Sequence, residues 1–426
     1  MDDFIETTAL TAMQAMLDAG FSDVQVCFST QQSDELSISH NEASMLRSTE
    51  EHNLSMIGVL DSRRASTTVT DISTDSIKQQ IIELLDSVSS APKDSANTVS
   101  ENQHGRVERG PLNSNLDLMA EKVSEILDFR AAQTPRFTIE EGGASHTLIR
   151  SHTVSSRGTA LSAARGHYSL SVMGTATDGA RSSSLNYCGG DTHELAAEPA
   201  PARFGIQQMM RETVDQIETR SLDAKFTGDV ILTPQATSDL LSWVLGQVGD
   251  LQLISGSSLY QQRVNQPIAS SRLSIRSRFD GAGVSSFSED GYQLQPLTLI
   301  EHGVLKQLLP SRYGSLKTGL AHVPSAYGWE IAGGEDRLQD ILSSVTRGAL
   351  VGRLSMGSPA ANGDFSGVIK NSFLLQDGQR GEALSEVMIT GNVARMLEHI
   401  EAISRERMDT GATLLPWLKV SGLHFS

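Results

Sequence analysis

Apolar residues recur at helical spacing over residues 3–18, where Phe4, Ile5, Leu10, Met13, Met16 and Leu17 fall near one stripe and Gly20 supplies a stop. Runs at 23–28, 35–39, 53–60 and 65–70 then alternate apolar and polar residues. That period of two predicts half-buried antiparallel strands. A Ser/Thr/Asp-rich start opens a second predicted helix over 71–88. A helix, a meander of strands and another helix make α+β order rather than alternating βαβ units.

Residues 89–115 are polar, with Pro and Gly scattered through them, and read as a long surface excursion. A helix is expected over 116–130. Strand-like runs follow at 137–140, 146–149 and 169–173, and an amphipathic helix near 204–220. The boundary is set near 222–229. This divides the chain into an N-terminal α+β domain of helices and antiparallel strands, 1–222, and a mainly β domain, 223–426. The second half opens with a strand at 229–233 and a helix whose first turns include Asp239. Residues 291–309 read as a hairpin turning at Glu301-His302-Gly303. Further β segments are expected at 349–356, 364–376 and 384–390, and a last helix over 391–404.

Composition narrows the class. The 426 residues are 38% hydrophobic and 20% charged, which suits a globular chain. Acidic residues outnumber basic ones 51 to 34, for a net charge of −17. Such a field repels nucleic-acid backbones and anionic lipid surfaces, so neither is an expected partner. Two cysteines, Cys27 and Cys188, are too few for a disulfide framework. The start carries acids where a signal peptide needs positive charge, and no apolar run reaches membrane-spanning length. The expected location is the cytoplasm.

Candidate chemistry is sparse. His193-Glu194-Leu195-Ala196-Ala197-Glu198 mimics a helical metallopeptidase motif, in which His and Glu supply a zinc ligand and a base. Pro199 and Pro201 follow at once and should end any helix, so a surface loop is expected there. His302 reads as a turn residue. Gly256-Ser257-Ser258 lacks the nucleophile-elbow pattern, and Gly281-Ala282-Gly283 is too short for a phosphate loop. Read on their own chemistry, these residues display no credible active site.

Two segments resemble the TldD/PmbA family, and within it the PmbA (TldE) branch. Residues 277–320 carry Phe279-Asp280, Leu299-Ile300-Glu301-His302-Gly303-Val304-Leu305 and Arg312-Tyr313. Residues 362–403 carry Gly363-Asp364-Phe365-Ser366 and Ile389-Thr390-Gly391-Asn392. In the TldD branch a helix after the 229–233 strand bears His-Glu-x-x-x-His, which binds zinc, and a distant Cys completes the site. Matching the strand-to-helix junctions brings those positions onto Ser242, Trp243, Val244, Leu245, Gly246 and Gln247. Ser242 and Gln247 cannot replace two imidazoles, Trp243 cannot replace a base, and no Cys follows Cys188.

The resemblance therefore implies a non-catalytic subunit of a heteromeric zinc metallopeptidase. No metal or cofactor is expected in this chain, and zinc only in a TldD-type partner. Hetero- or homodimerisation is implied, with unfolded peptides as substrates and peptide maturation or degradation as the role. Gly363-Asp364-Phe365-Ser366 is the expected peptide-facing strand, because Gly and Ser allow close backbone approach. The alternatives are a stand-alone hydrolase using the 193–198 cluster and a regulatory protein acting on DNA gyrase.

Overall fold

The computed structural model describes residues 2–355, 357 and 359–426. Helix α1 (Asp2–Asp18) is followed by β1 (Asp23–Ser39), β2 (Glu42–Leu60) and β3 (Arg63–Val69). The buried stripe of α1 is Ile5, Ala9, Ala12 and Met16, while Phe4 and Leu10 are exposed. Helix α2 (Thr74–Ser90) starts at Ser73, whose side chain accepts a hydrogen bond from the Ser76 N–H. Then come β4 (His104–Arg109), α3 (Leu116–Gln133), β5 (Phe137–Ser155), β6 (Ala160–Asp178), β7 (Arg181–Ser182) and β8 (Asn186–Thr192).

These strands make one sheet in the order β3-β2-β1-β5-β6-β4, with β7 and β8 also paired to β6. Four of its strands are 17 to 19 residues long, so several expected short strands are the ends of longer ones. The runs 23–28 and 35–39 are both β1, and 137–140 and 146–149 are both β5. Two-residue turns with positive φ at His40-Asn41 and Asp61-Ser62 join β1 to β2 and β2 to β3. The excursion expected at 89–115 is in part structural. It contains β4, which runs parallel to β6, and it buries Ala96, Val99 and Ser100.

Helices α1 and α2 cover one end of this sheet through Phe28, Leu54, Met56 and Val154. The other end is covered by α3 and α4 (Ile206–Asp215) through Phe137, Ile139, Leu170 and Val172. The helix expected at 204–220 is shorter than its apolar pattern. Phe204 and Gly205 take left-handed conformations, which separate a 3-10 turn at 200–205 from α4.

The second sheet is built from short strands: β9 (Thr219–Arg220), β10 (Phe226–Leu232), β11 (Ile275–Ser277), β12 (Thr298–Glu301), β13 (Val304–Leu305) and β14 (Trp329–Ile331). They continue as β15 (Arg347–Val351), β16 (Arg353–Ser355), β17 (Asp364–Lys370), β18 (Ser372–Gln376), β19 (Gln379–Leu384), β20 (Met388–Asn392), β21 (Ile400–Asp409) and β22 (Thr413–Phe425). The order is β13-β12-β11-β14-β22-β10-β15-β18-β19-β9, with β16, β17, β20 and β21 attached beside it. Helices α5 (Pro234–Val248), α6 (Asp250–Ser255), α7 (Arg312–Thr318), α8 (Leu338–Ser343) and α9 (Val393–Glu398) complete this half.

The hairpin turn is where the sequence placed it: His302 and Gly303 both have positive φ between β12 and β13. The expected segment 349–356 spans β15 and β16, and its last residue, Met356, lies outside the described residues. The helix expected at 391–404 is corrected. It stops at Glu398, and residues 400–409 form β21 against β22. The fold as a whole is α+β. Among the described residues no helix is long and apolar enough to cross a membrane.

Candidate functional site

Helix α5 begins cleanly. Thr233 caps it by accepting from the Ala236 N–H at 3.4 Å, and Pro234 takes the first helical position, where its missing N–H costs nothing. Leu240, Leu241, Val244 and Val248 bury its inner face. Ser242 lies outside, and its hydroxyl donates back to the Ser238 carbonyl at 2.8 Å. Trp243 is buried edge-on to Tyr260, with ring centroids 6.0 Å apart. Gln247 is buried and bonded at both ends of its amide: Oε1 accepts from the Leu259 N–H at 2.9 Å, and Nε2 donates to the Ala361 carbonyl at 3.2 Å.

Positions 242 and 247 point about 140° apart around an α-helix. A hydroxyl tied to its own helix, an indole and an amide engaged at both ends do not fit zinc. Among the described residues, no three His, Cys, Asp or Glu side chains are grouped to hold a metal.

The segment 363–366 meets α5 directly. Gly363, at φ +89°, leaves so little room that an added Cβ would come 3.2 Å from Trp243 Cζ2. Phe365 faces the core. Asp364 and Ser366 face outward, and both already have partners. The Asp364 carboxylate accepts from Asn392 and from Asn362, each at 2.8 Å, which holds it below the usual carboxylate range. The Ser366 and Thr390 hydroxyls are bonded at 3.1 Å.

The 193–198 stretch is a 3-10 turn at Leu195–Ala197, followed by Glu198 in extended conformation. It has donors and no helix. The His193 imidazole is held below its ordinary pKa, first by burial and then by the nearby Arg109 charge.

The two sheets meet along a seam, and the 277–320 segment makes much of it. Arg109 of β4 donates to the Phe279 carbonyl at 2.6 Å, and Arg165 of β6 donates to the Val284 carbonyl at 2.6 Å. Arg312 pairs with Glu101 at 2.8 Å, and the Tyr313 hydroxyl donates to Asp94 at 2.8 Å. From the other side, the Asp191 N–H donates to the Thr410 carbonyl at 3.1 Å.

Three cavities adjoin one another along this seam. The first, about 830 Å³, is charged and includes Asp191, His193, Arg278, Asp280, Glu330 and Asp409. The middle one, about 310 Å³, lies at the start of α5 and shares Phe204, Gly205, Gln208, Met408 and Trp417 with the first. The third, about 830 Å³, shares Tyr327 and Ala412 with the middle one. Beside Ser238, which lines the middle cavity, the Asp239 carboxyl is pushed up to about 6 by burial, opposed by a bond from the Leu354 backbone and by the Arg353 charge. Sequence reasoning missed Asp239, Tyr327 and Trp417 as site residues. They come from a helix, a loop and a strand far apart in the chain, so no spacing joins them.

Residues 226–426 match the PmbA/TldA metallopeptidase C-terminal domain. A metalloprotease PmbA of Escherichia coli O157:H7 is 24% identical over 224 residues, which are 50% of this chain and 49% of that one. A metalloprotease of Methanothermobacter thermautotrophicus is 26% identical over 195 residues, 42% of this chain and 43% of its own. The matched stretches thus span half or less of these curated relatives. A crystal structure from Bacteroides thetaiotaomicron, described as a modulator of DNA gyrase, superposes with a TM-score of 0.85 at 20% identity, over 99% of this chain and 98% of that one. TldE from Thermococcus kodakarensis gives 0.81 at 18% identity, over 99% of each chain. At these identities the structural likeness speaks for the fold.

Proposed function

We propose that this chain, whose residues 226–426 match the PmbA/TldA metallopeptidase C-terminal domain, is the PmbA/TldE-type, non-catalytic half of a heteromeric zinc metallopeptidase. A TldD-type chain is the other half and brings the zinc. One observation carries this reading. Helix α5 keeps its packing face and offers Ser242, Trp243 and Gln247 where the resemblance expects two imidazoles and a base. No step of the hydrolysis is assigned to this chain.

Its role is to complete an enclosed space that admits unfolded peptides and excludes folded ones. Helices α6 and α7 support a partner-binding role, since they expose Leu251, Ile254, Tyr313 and Leu316. Permanent complexes bury apolar side chains of this kind. A direct role on nucleic acid is disfavoured by the net charge of −17.

The test is cleavage of an unstructured peptide by this chain alone, by a TldD-type chain alone and by the mixture. Chelator-sensitive cleavage is expected from the mixture. Full activity from this chain alone would overturn the proposal.

A further inference from the structure

We propose that the middle seam cavity is a subsite for one apolar residue, its side chain together with its own backbone N–H and C=O, of an unfolded polypeptide. This deepens the peptidase reading and rests on it for the substrate class.

The cavity's size sets the first limit. About 310 Å³ accommodates one large side chain and its backbone, and is too small for a folded element. Apolar, polarizable side chains line it from both halves of the molecule, Phe204, Met209, Pro234, Met408 and Trp417, beside polar ones such as Gln208, Glu212 and Ser238. Methionine side chains adapt to ligands of different shape, which suits a site that must accept many sequences. The Cys188 thiol in the wall is pushed up to about 12 by burial and stays neutral.

Two buried polar atoms give the second limit. The Trp417 indole N–H and the Asn371 Oδ1 have no hydrogen-bond partner in the protein, and both residues line the cavity. The Asn371 amide N is already committed to Asn186 Oδ1 at 2.6 Å. A buried donor and a buried acceptor left unmade on two lining residues are costly, and a ligand that supplies both partners relieves that cost. An extended residue presents its own N–H and C=O on one side, so the held residue offers a partner for each atom once the Trp417 and Asn371 side chains turn toward the cavity.

The mouth argues for a chain rather than a free small molecule. Tyr187 on β8 and Tyr327 before β14 line the cavity from opposite halves and are 44% and 57% exposed. Such rings make amphipathic contacts with a passing backbone. The cavity also adjoins a larger one on either side, so an extended polypeptide can continue past the held side chain in both directions.

The experiment uses the full chain and a fluorescein-labelled unstructured peptide with a single Phe, beside the same peptide with Ser in its place. Fluorescence anisotropy should give at least about tenfold tighter binding of the Phe peptide. Gln208→Trp and Ser238→Trp fill the rim from opposite sides, and each should reduce that preference to near unity. Using both guards against misfolding of one. Equal binding of the two peptides by the unaltered chain, or a preference retained in both folded variants, would overturn the subsite. The peptidase reading is read out separately by cleavage in the mixture with a TldD-type chain. Cleavage without the Phe preference removes the subsite alone. The Phe preference without cleavage supports the subsite and removes the peptidase reading.

Discussion

Helix α5 is a rigid, well-capped element packed on the core, and the positions matched to a metal motif hold a serine, a tryptophan and a glutamine. The 193–198 stretch holds a histidine and two glutamates, which flank a single 3-10 turn at Leu195–Ala197 that runs on into Pro199. One region has the frame without the donors, and the other has the donors without the frame. A metal site needs both, because each ligand must be held to its geometry by the packing behind it. A motif is therefore legible only with the element that carries it.

The strongest way to break this contrast is to rebuild the donors on the rigid frame. The combined Ser242→His, Trp243→Glu and Gln247→His variant should still bind no stoichiometric zinc after dialysis. It should also lose about 4–5 kcal/mol in urea unfolding, since the carboxylate of Glu would replace a buried indole. A tightly held zinc, or an unchanged unfolding midpoint, would end the contrast. Gln247→Leu tests the same face more gently. It leaves the Leu259 N–H and the Ala361 carbonyl unpaired, for a loss of about 1–3 kcal/mol, and amide exchange at Leu259 should speed up.

Asp239→Asn is smaller and of opposite sign. The folded carboxyl, raised to about 6, holds its proton more tightly than the unfolded one at 3.8. Stability is therefore lost as pH rises from the unfolded value through the folded one, and the cost persists above that. The amide should stabilise the chain by about 1 kcal/mol near neutral pH, discounted for partial exposure. The gain should vanish once both states are protonated. Thermal melts across that window would decide it, and an unchanged gain at low pH would refute the assignment. Smallest of all, His193→Ala and Glu198→Ala should each change stability by less than about 0.5 kcal/mol and leave metal content unaltered.

Much of the fold was legible, and the misreadings have physical causes. The inner half of β2 alternates, as Leu54, Met56 and Gly58 turn inward, and it was found. The outer half, Glu42 to Glu51, is exposed on both faces, so nothing imposed a period of two. In 391–404, Val393, Met396, Leu397, Ile400 and Ile403 are all buried at helical spacing. Only the first three sit on α9. Ile400 and Ile403 sit on β21, where irregular pairing with β22 between Ile400 and Ala402 turns a spacing of three inward twice. The seam was illegible for another reason. Arg109, Arg165, Asn186 and Trp417 are ordinary residues of separate strands until the chain folds, and only their meeting gives them a common task.

The outer half of β2 has a further consequence. It pairs with β1 along one side, while β3 covers only Leu54 to Leu60 on the other, so its remaining backbone groups face outward as an open row. An open row is a template for fibre growth between molecules. Glu42, Glu50 and Glu51 stand along it with a single guanidinium, that of Arg47, which is already committed to Glu35 at 2.6 Å. Two such rows approaching one another bring carboxylates together, and that repulsion fades as salt shortens the Debye length. Colloidal solubility in this protein is thus guarded by a few surface charges, and concentrated salt is the condition that relaxes the guard.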